Sequence, residues 1–395
     1  MLVIHKMPDY DVLVAGGSIS GPLAAREIAA GGLSVLVLED DPEIGTPEHC
    51  GGLVSVAGIR NLGAVPDAHT VENNKISRAK ITSPTRCFEI SAEKQKVIVL
   101  DRRAFDKQIA FQAQKNGAEI RVKCSMRSFA KDSLEYVVKT SEGSISCTYF
   151  VDARGVSSII HRNREGVLQS AQYEIYAPWI ERDTIEVAFD SQRYPGFFAW
   201  IIPTGQGTGK VGVAGRRINA ANALQSYIDS KGRYSVVRKI YASIWVNGPL
   251  ENFVYDRVMV VGDAAGQSKP TTAGGIYSCG MGGVLAGRAV VEEAAAGSKS
   301  GMPLLLTQYE KNWSSMFKSE FDKMLLARRF MERLDNKAID DLVAAISPKT
   351  VEQASVYGDF DFHTSALAKM LASKAAARMA KALLNNEMRR FLESS

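Results

Sequence analysis

The chain has 395 residues, 46% of them hydrophobic, and its 48 Lys and Arg against 43 Asp and Glu give a formal charge of +5. That length and apolar content suit a globular protein of two or three domains, and so slight a basic excess, with no nucleic-acid motif beside it, argues against DNA or RNA as a partner. Cysteines at 50, 87, 124, 147 and 279 lack paired metal-ligand spacing, so no metal is expected and a reducing cytoplasm is; MLVIHKMPDY is no leader, and no apolar run reaches membrane-spanning length.

Residues 10–15 (YDVLVA) form a short β-rich run that Gly16-Gly17 ends. A helical stretch follows to about Ala30, and SVLVLE at 34–39 returns to strand, so the chain opens on a βαβ unit. A second alternation occupies 97–122, where Asp101 is placed to cap a helix that ends near Gly117. Between about 165 and 250 the pattern becomes QYEIYAPWI, TIEVAFD, FFAWIIP and KVGVAG with turns between, which predicts an inserted antiparallel β domain. DRVMVVGD at 256–263 and a Gly-rich helix from about Gly274 resume the first domain, and after about 330 the pattern is helical.

The opening turn, Gly16-Gly17-Ser18-Ile19-Ser20-Gly21, matches G-x-G-x-x-G at its first and third glycines and has Ser18 at the second. At that middle position the backbone approaches a pyrophosphate lying on the positive helix N-terminus, and Ser is small enough to be tolerated. Glu39, 23 residues after Gly16, stands where a carboxylate accepts hydrogen bonds from ribose hydroxyls. The alternative is a merely structural turn. Further on, Val260-Val261-Gly262-Asp263-Ala264-Ala265 precedes Pro270 and Gly274-Gly275-Ile276. Asp263 can bond ribitol hydroxyls while the helix-start N–H groups face an isoalloxazine oxygen; the alternative makes Asp263 a helix N-cap and the glycines packing residues. The two components together describe one FAD pocket. The predicted fold is α/β: a discontinuous Rossmann-like FAD-binding domain (1–70, 97–164 and 251–330), an inserted antiparallel β substrate domain (71–96 and 165–250), and a helical C-terminal region (331–395).

These segments resemble the geranylgeranyl reductase family of archaeal lipid biosynthesis, within the p-hydroxybenzoate-hydroxylase-like flavoprotein fold. The resemblance runs over roughly 9–335. Besides the two glycine-rich segments it rests on Pro42-Glu43-Ile44-Gly45-Thr46-Pro47 leading to Cys50-Gly51-Gly52, and on Leu100-Asp101-Arg102. Phe198-Ala199-Trp200-Ile201-Ile202-Pro203-Thr204-Gly205 is similar to the family's YxWxFPxG signature, with Phe198 for Tyr and Ile202 for Phe. The resemblance implies that the turn and Glu39 hold the ADP half of FAD, Arg102 the pyrophosphate side, Met126 an adenine-side contact, and Asp263, Gly275 and Ile276 the flavin end. It also places Cys50 and Gly51 near the ring and gives Phe198, Trp200 and Pro203 to the substrate. Cys50 is the candidate catalytic proton donor or chain-positioning group. In the plainer readings Cys50 is an inert small hydrophobe, Arg102 a solvated helix-start residue, and Phe197 and Trp200 ordinary core.

The reaction so implied is reduction of isolated C=C bonds in the prenyl chains of an isoprenoid lipid by reduced FAD, with ferredoxin or NAD(P)H as electron donor. Arg154 replaces the Asp of an Asp-Gly pair, and His161 stands where hydroxylases of this fold carry Arg, which argues against an NADPH-dependent aromatic hydroxylase and suggests a divergent paralogue. The alternatives are an FAD-dependent monooxygenase or dehydrogenase of a small or aromatic molecule, and a flavin-binding protein without turnover. The segment 365–393, with Lys369, Lys374, Arg378, Lys381, Arg389 and Arg390, reads either as a helix docked on the body or as a basic amphipathic helix giving peripheral contact with anionic lipid. Because Ser18 is read as tolerated rather than required, Ser18→Gly is expected to bind FAD as well as the natural chain or better; a marked loss of bound flavin, read from absorbance, would contradict this.

Overall fold

Val12–Ala15 and Val35–Leu38 are buried throughout, as strands covered on both faces must be. In the computed structural model, which describes residues 7–132, 135–160, 163–297 and 303–364, these runs are β1 (Tyr10–Ala15) and β2 (Val35–Leu38), paired in parallel and joined by α1 (Ser20–Ala30). The sheet continues in the order Val254–Tyr255, Val258–Val260, Ser144–Asp152, β1, β2, Glu119–Arg121, parallel except at its first pair. Alternate residues divide between its faces. Val12, Val14, Val35 and Val37 meet α1 and the helix Ile276–Ala296, whereas Leu13, Ala15, Leu36 and Leu38 face an antiparallel hairpin, Met126–Asp132 with Glu135–Thr140.

The opening turn needs its first and third glycines for space. Gly16 has φ +111°, and a Cβ there would stand 2.4 Å from the Ala153 carbonyl oxygen; a Cβ on Gly21 would stand 1.9 Å from the Gly16 oxygen. Only without those atoms can α1 start directly against the C-terminal end of β1, where ligands bind in open parallel sheets.

A second, seven-stranded sheet runs Ser235–Trp245, Val167–Tyr176, Thr208–Gly215, Ala199–Gly205, Thr184–Ala188, Arg78–Thr82, Cys87–Ser91. It is antiparallel except where Thr184–Ala188 lies parallel to Arg78–Thr82, a strand from an earlier stretch that enters without a hairpin. The helix Ala220–Asp229 covers one face through Leu224, Tyr227 and Ile228. A three-stranded sheet (Leu53–Ser55, Val97–Leu100, Val71–Asn73) takes its strands from either side of Arg78–Thr82 and Cys87–Ser91 in the chain. Helices Thr307–Met331, Asn336–Ala345 and Pro348–Tyr357 follow, the last two capped by Asp335 and Ser347. The basic segment 365–393 lies outside the described residues, and no helix among the described residues is long and apolar enough to cross a membrane.

Lys210, on the Thr208–Gly215 strand, has a side chain with no exposure, and its ammonium lies 2.6 Å from Glu48 and 2.7 Å from Glu72. Burial works against the charge, but the two carboxylates outweigh it and hold the ammonium above its ordinary range. Glu48 also accepts the Arg102 backbone N–H at 3.0 Å, so one carboxylate ties the large sheet to the start of the helix Arg102–Lys115. Lys210→Met removes the nearest cation from the buried Glu48 and the half-buried Glu72 and is expected to cost about 3–5 kcal/mol. The check is the urea midpoint at unchanged m-value; a loss below about 1 kcal/mol would mean that water reaches those carboxylates.

Candidate active site

Glu39 lies one residue past β2, at the turn into Asp40 and Asp41. Its two carboxylate oxygens accept the N–H of Gly17 at 2.8 Å and of Asp41 at 3.0 Å, which leaves each a second lone pair for a hydroxyl donor. Burial, and then a hydrogen bond with the Asp40 side chain, push the Glu39 carboxyl up to about 7. The first turn of α1 has no side-chain cap; Gly21 N donates to the Ser18 carbonyl at 2.9 Å and Pro22 has no N–H, so the turn offers an anion the positive end of the helix dipole. Ser18 is exposed at the lip of that turn.

Asp101 caps the Arg102–Lys115 helix, as its position predicts, accepting from Arg103 N at 2.9 Å and Ala104 N at 3.1 Å. Arg102 turns inward and is 7% exposed, which excludes the solvated reading. Its guanidinium grips Asp106 with Nε at 2.9 Å and Nη2 at 2.8 Å, and Nη2 lies 3.4 Å from the Ser18 hydroxyl. Burial opposes the charge, but Asp106 and the facing Cys50 thiol hold it above the usual guanidinium range. The turn and the buried cation therefore meet at Ser18. Asp106 went unread, although its place four residues after Arg102 is the spacing of a helical ion pair.

Cys50 is half-buried; its sulfur accepts the Gly52 N–H at 3.3 Å, and its carbonyl accepts Gln172 Nε2 at 3.3 Å. Gln172 in turn accepts the Trp200 indole N–H at 3.2 Å, so the Cys50 loop is joined to the aromatic signature of the large sheet. A Cβ on Gly51 would meet Ile202 Cδ1 at 2.4 Å. Phe198 stacks on Phe197 (centroids 4.1 Å apart) and presents an edge to Trp200 at 6.1 Å. This cluster packs against Ala273, in the loop before Gly274-Gly275. Pro203 is buried in the same strand, its carbonyl accepting Asn73 Nδ2 at 2.9 Å. Gln172 and Asn73 carried no local sequence signal, since their partners lie on other elements.

Asp263 sits in the short turn Gly262–Ala265 and does not cap the Ile276–Ala296 helix, whose N-cap residue is Gly275. Desolvation pushes its carboxyl up, and its oxygen Oδ1 receives the Cys279 thiol at 3.4 Å. A Cβ on Gly275 would lie 2.6 Å from that sulfur. Ile276 is buried beside it. Met126 opens its strand at the Glu39 end, where Cys124 N donates to the Glu39 carbonyl at 2.9 Å. Arg154 is neutralised by Asp152 through contacts of 3.0 and 2.9 Å, while His161 lies outside the described residues. An acceptor with spare lone pairs, an uncapped helix start beside a buried cation, and a desolvated Asp beside a glycine helix start form a set that fits FAD from ribose to ring.

No family model matches the chain. A digeranylgeranylglycerophospholipid reductase 2 of Methanothermobacter thermautotrophicus is 29% identical over 366 residues, which span 88% of this chain and 94% of that one. A reductase of the same name from Methanopyrus kandleri is 28% identical over 370 residues, spanning 87% and 92%. The chain is a homologue of the digeranylgeranylglycerophospholipid reductases. Among solved structures, a geranylgeranyl bacteriochlorophyll reductase-like protein of Thermoplasma acidophilum shares the fold at TM-score 0.82 and 24% identity, over 95% of this chain and 99% of that one. A halogenase solved in complex with FAD shares it at TM-score 0.64 and 16% identity, over 94% and 85%. This homologue of lipid reductases therefore has the fold of FAD-dependent enzymes.

The Glu39 carboxyl is pushed up to about 7, so a bound ribose, whose hydroxyls donate to a carboxylate, would stabilise its charged form. Binding through Glu39 would then release a proton and weaken as pH falls. FAD titrations of apoprotein are expected to weaken by about tenfold from pH 7.5 to 5.5. Glu39→Gln should flatten that profile; a natural chain with flat affinity over this window would contradict the role given to Glu39.

Proposed function

We propose that the chain is an FAD-dependent oxidoreductase that saturates isolated C=C bonds in the prenyl chains of an isoprenoid lipid. The reading rests above all on the meeting of Phe198 and Trp200 with Ala273 on one side and, through Gln172, with Cys50 on the other. An apolar aromatic wall and a thiol thus border the region of Asp263 and Gly275. Homology to reductases named for a prenylated phospholipid supports the substrate class.

Glu39 would hold the cofactor's ribose, the Gly16–Gly21 turn with Ser18 and Arg102 its pyrophosphate, Met126 its adenine side, and Asp263, Gly275 and Ile276 its ring. Reduced FAD supplies the hydride for an alkene that no carbonyl polarises. The residues of the chain must therefore hold the alkene close, dry and correctly turned. Phe198, Trp200 and Pro203 do the holding and exclude water. Gln172 fixes the Trp200 ring and the Cys50 backbone together, and Cys50 Sγ carries the proton for the second carbon. Electrons would come from ferredoxin or NAD(P)H, and the lipid from a membrane that the protein touches peripherally.

Purified protein is expected to carry non-covalent FAD, and FMN or no flavin in the released fraction would contradict the reading. Cys50→Ala should keep its FAD, because none of the cofactor's anchors is removed. Its turnover of prenylated glycerolipid by dithionite-reduced protein should fall by about 10²- to 10⁴-fold, with Cys50→Ser retaining more. Near-normal turnover by both variants would reduce Cys50 to a packing residue.

A further inference from the structure

After the helix Pro348–Tyr357 the chain turns back across the body between Gly358 and Thr364. Its ends are anchored: Gln95 Nε2 donates to the Gly358 carbonyl, Phe362 stacks on Phe317 at 6.1 Å and 8°, and Thr364 N donates to Glu320 at 2.7 Å. In the middle, the Lys269 ammonium donates to the Phe360 carbonyl at 2.8 Å and to Asp361 at 3.2 Å, and lies 4.5 Å from the Phe360 ring centroid. The second Asp361 oxygen takes the Ser55 hydroxyl at 2.5 Å. His363 Nε2 meets the Thr271 hydroxyl at 2.7 Å.

The partners of this segment are not scattered. Lys269 and Thr271 flank Pro270 in the loop that leads to Gly275, and Ser55 ends the strand that leaves Cys50-Gly51-Gly52. Lys269 and Asp361 are 7% and 9% exposed, so each charge depends on the other for its solvation. The Phe360 side chain is half-buried and packs, with Leu53 and Trp200, against the cluster of Ile76, Val97, Val99, Ile185 and Ile202. An aromatic ring carried by the C-terminal region therefore shares a wall with Trp200, and a buried ion pair pins its backbone to the loop of the proposed ring site.

We propose that residues 358–364 are a strap across the place where the large sheet meets the 266–275 loop, with Phe360 meeting the prenyl chain there and Lys269–Asp361 as the latch. The inference rests on the reading of that place as the seat of a lipid chain. Phe360 then sets how the chain lies beside Trp200, and release of the latch opens the way in.

The test uses the full-length protein with Phe360→Ala, Phe360→Leu and Asp361→Asn. Hydrogen exchange of residues 53–58 and 266–275, which needs neither flavin nor lipid, should quicken by about tenfold in Asp361→Asn as the latch opens locally. With prenylated glycerolipid as the probe, Phe360→Ala should raise KM several-fold with little change in kcat, and Phe360→Leu should fall between it and the natural chain. Unchanged exchange in Asp361→Asn, or an unchanged KM in Phe360→Ala, overturns the strap. If Phe360→Ala fails to fold, Phe360→Leu and Asp361→Asn decide. Quickened exchange in a protein that reduces no prenyl lipid keeps the latch and sinks the functional reading instead.

Discussion

The Glu48 carboxylate is the point on which the site depends. It has no exposure, yet it serves the Lys210 ammonium of the large sheet and the Arg102 backbone N–H, and lies 3.4 Å from Arg103 Nε. A buried carboxylate is tolerable only while such partners stay in place, so the partners cannot drift independently. Two residues beyond it comes Cys50. The distance between the thiol and the aromatic face of the sheet is thus fixed by a charge cluster rather than by loop packing alone.

Three other charges near the site are paired, Arg102 with Asp106, Arg154 with Asp152 and Lys269 with Asp361, while desolvation pushes the carboxyls of Glu39 and Asp263 toward their neutral forms. Each pair adds little net stability compared with an apolar substitute of equal volume, but each fixes a geometry. Their near-neutral sum matters for the proposed chemistry. An apolar chain can lie beside neutralised pairs, whereas an unpaired buried charge would draw water in with it.

What the sequence made legible follows from range. Apolar runs of four residues, Val12–Ala15 and Val35–Leu38, give β1 and β2 because strands covered on both faces need nothing else, and an Asp before a helical stretch gives the cap at Asp101. The glycine spacing pointed to Gly16 and Gly21, whose missing Cβ atoms the packing requires. Lys210 reads locally as the polar start of a strand; its burial is decided by Glu48, 162 positions away. Gln172 and Asp361 fail for the same reason, since their partners lie 122 and 92 positions distant. The sequence grouped 71–96 with the inserted β domain, but the parallel pairing of Arg78–Thr82 with Thr184–Ala188 was hidden, because no local pattern records which strand a distant one will pair with.

The account stands or falls on what the reduced protein does to an unpolarised alkene. The most direct measurement mixes protein reduced anaerobically with a prenylated glycerolipid, following flavin absorbance and lipid mass in the same sample. The account predicts that the flavin reoxidises without oxygen, in step with a mass gain of one hydrogen molecule for each double bond lost. Flavin that stays reduced until oxygen is admitted, with the lipid unchanged or oxygenated, would contradict it.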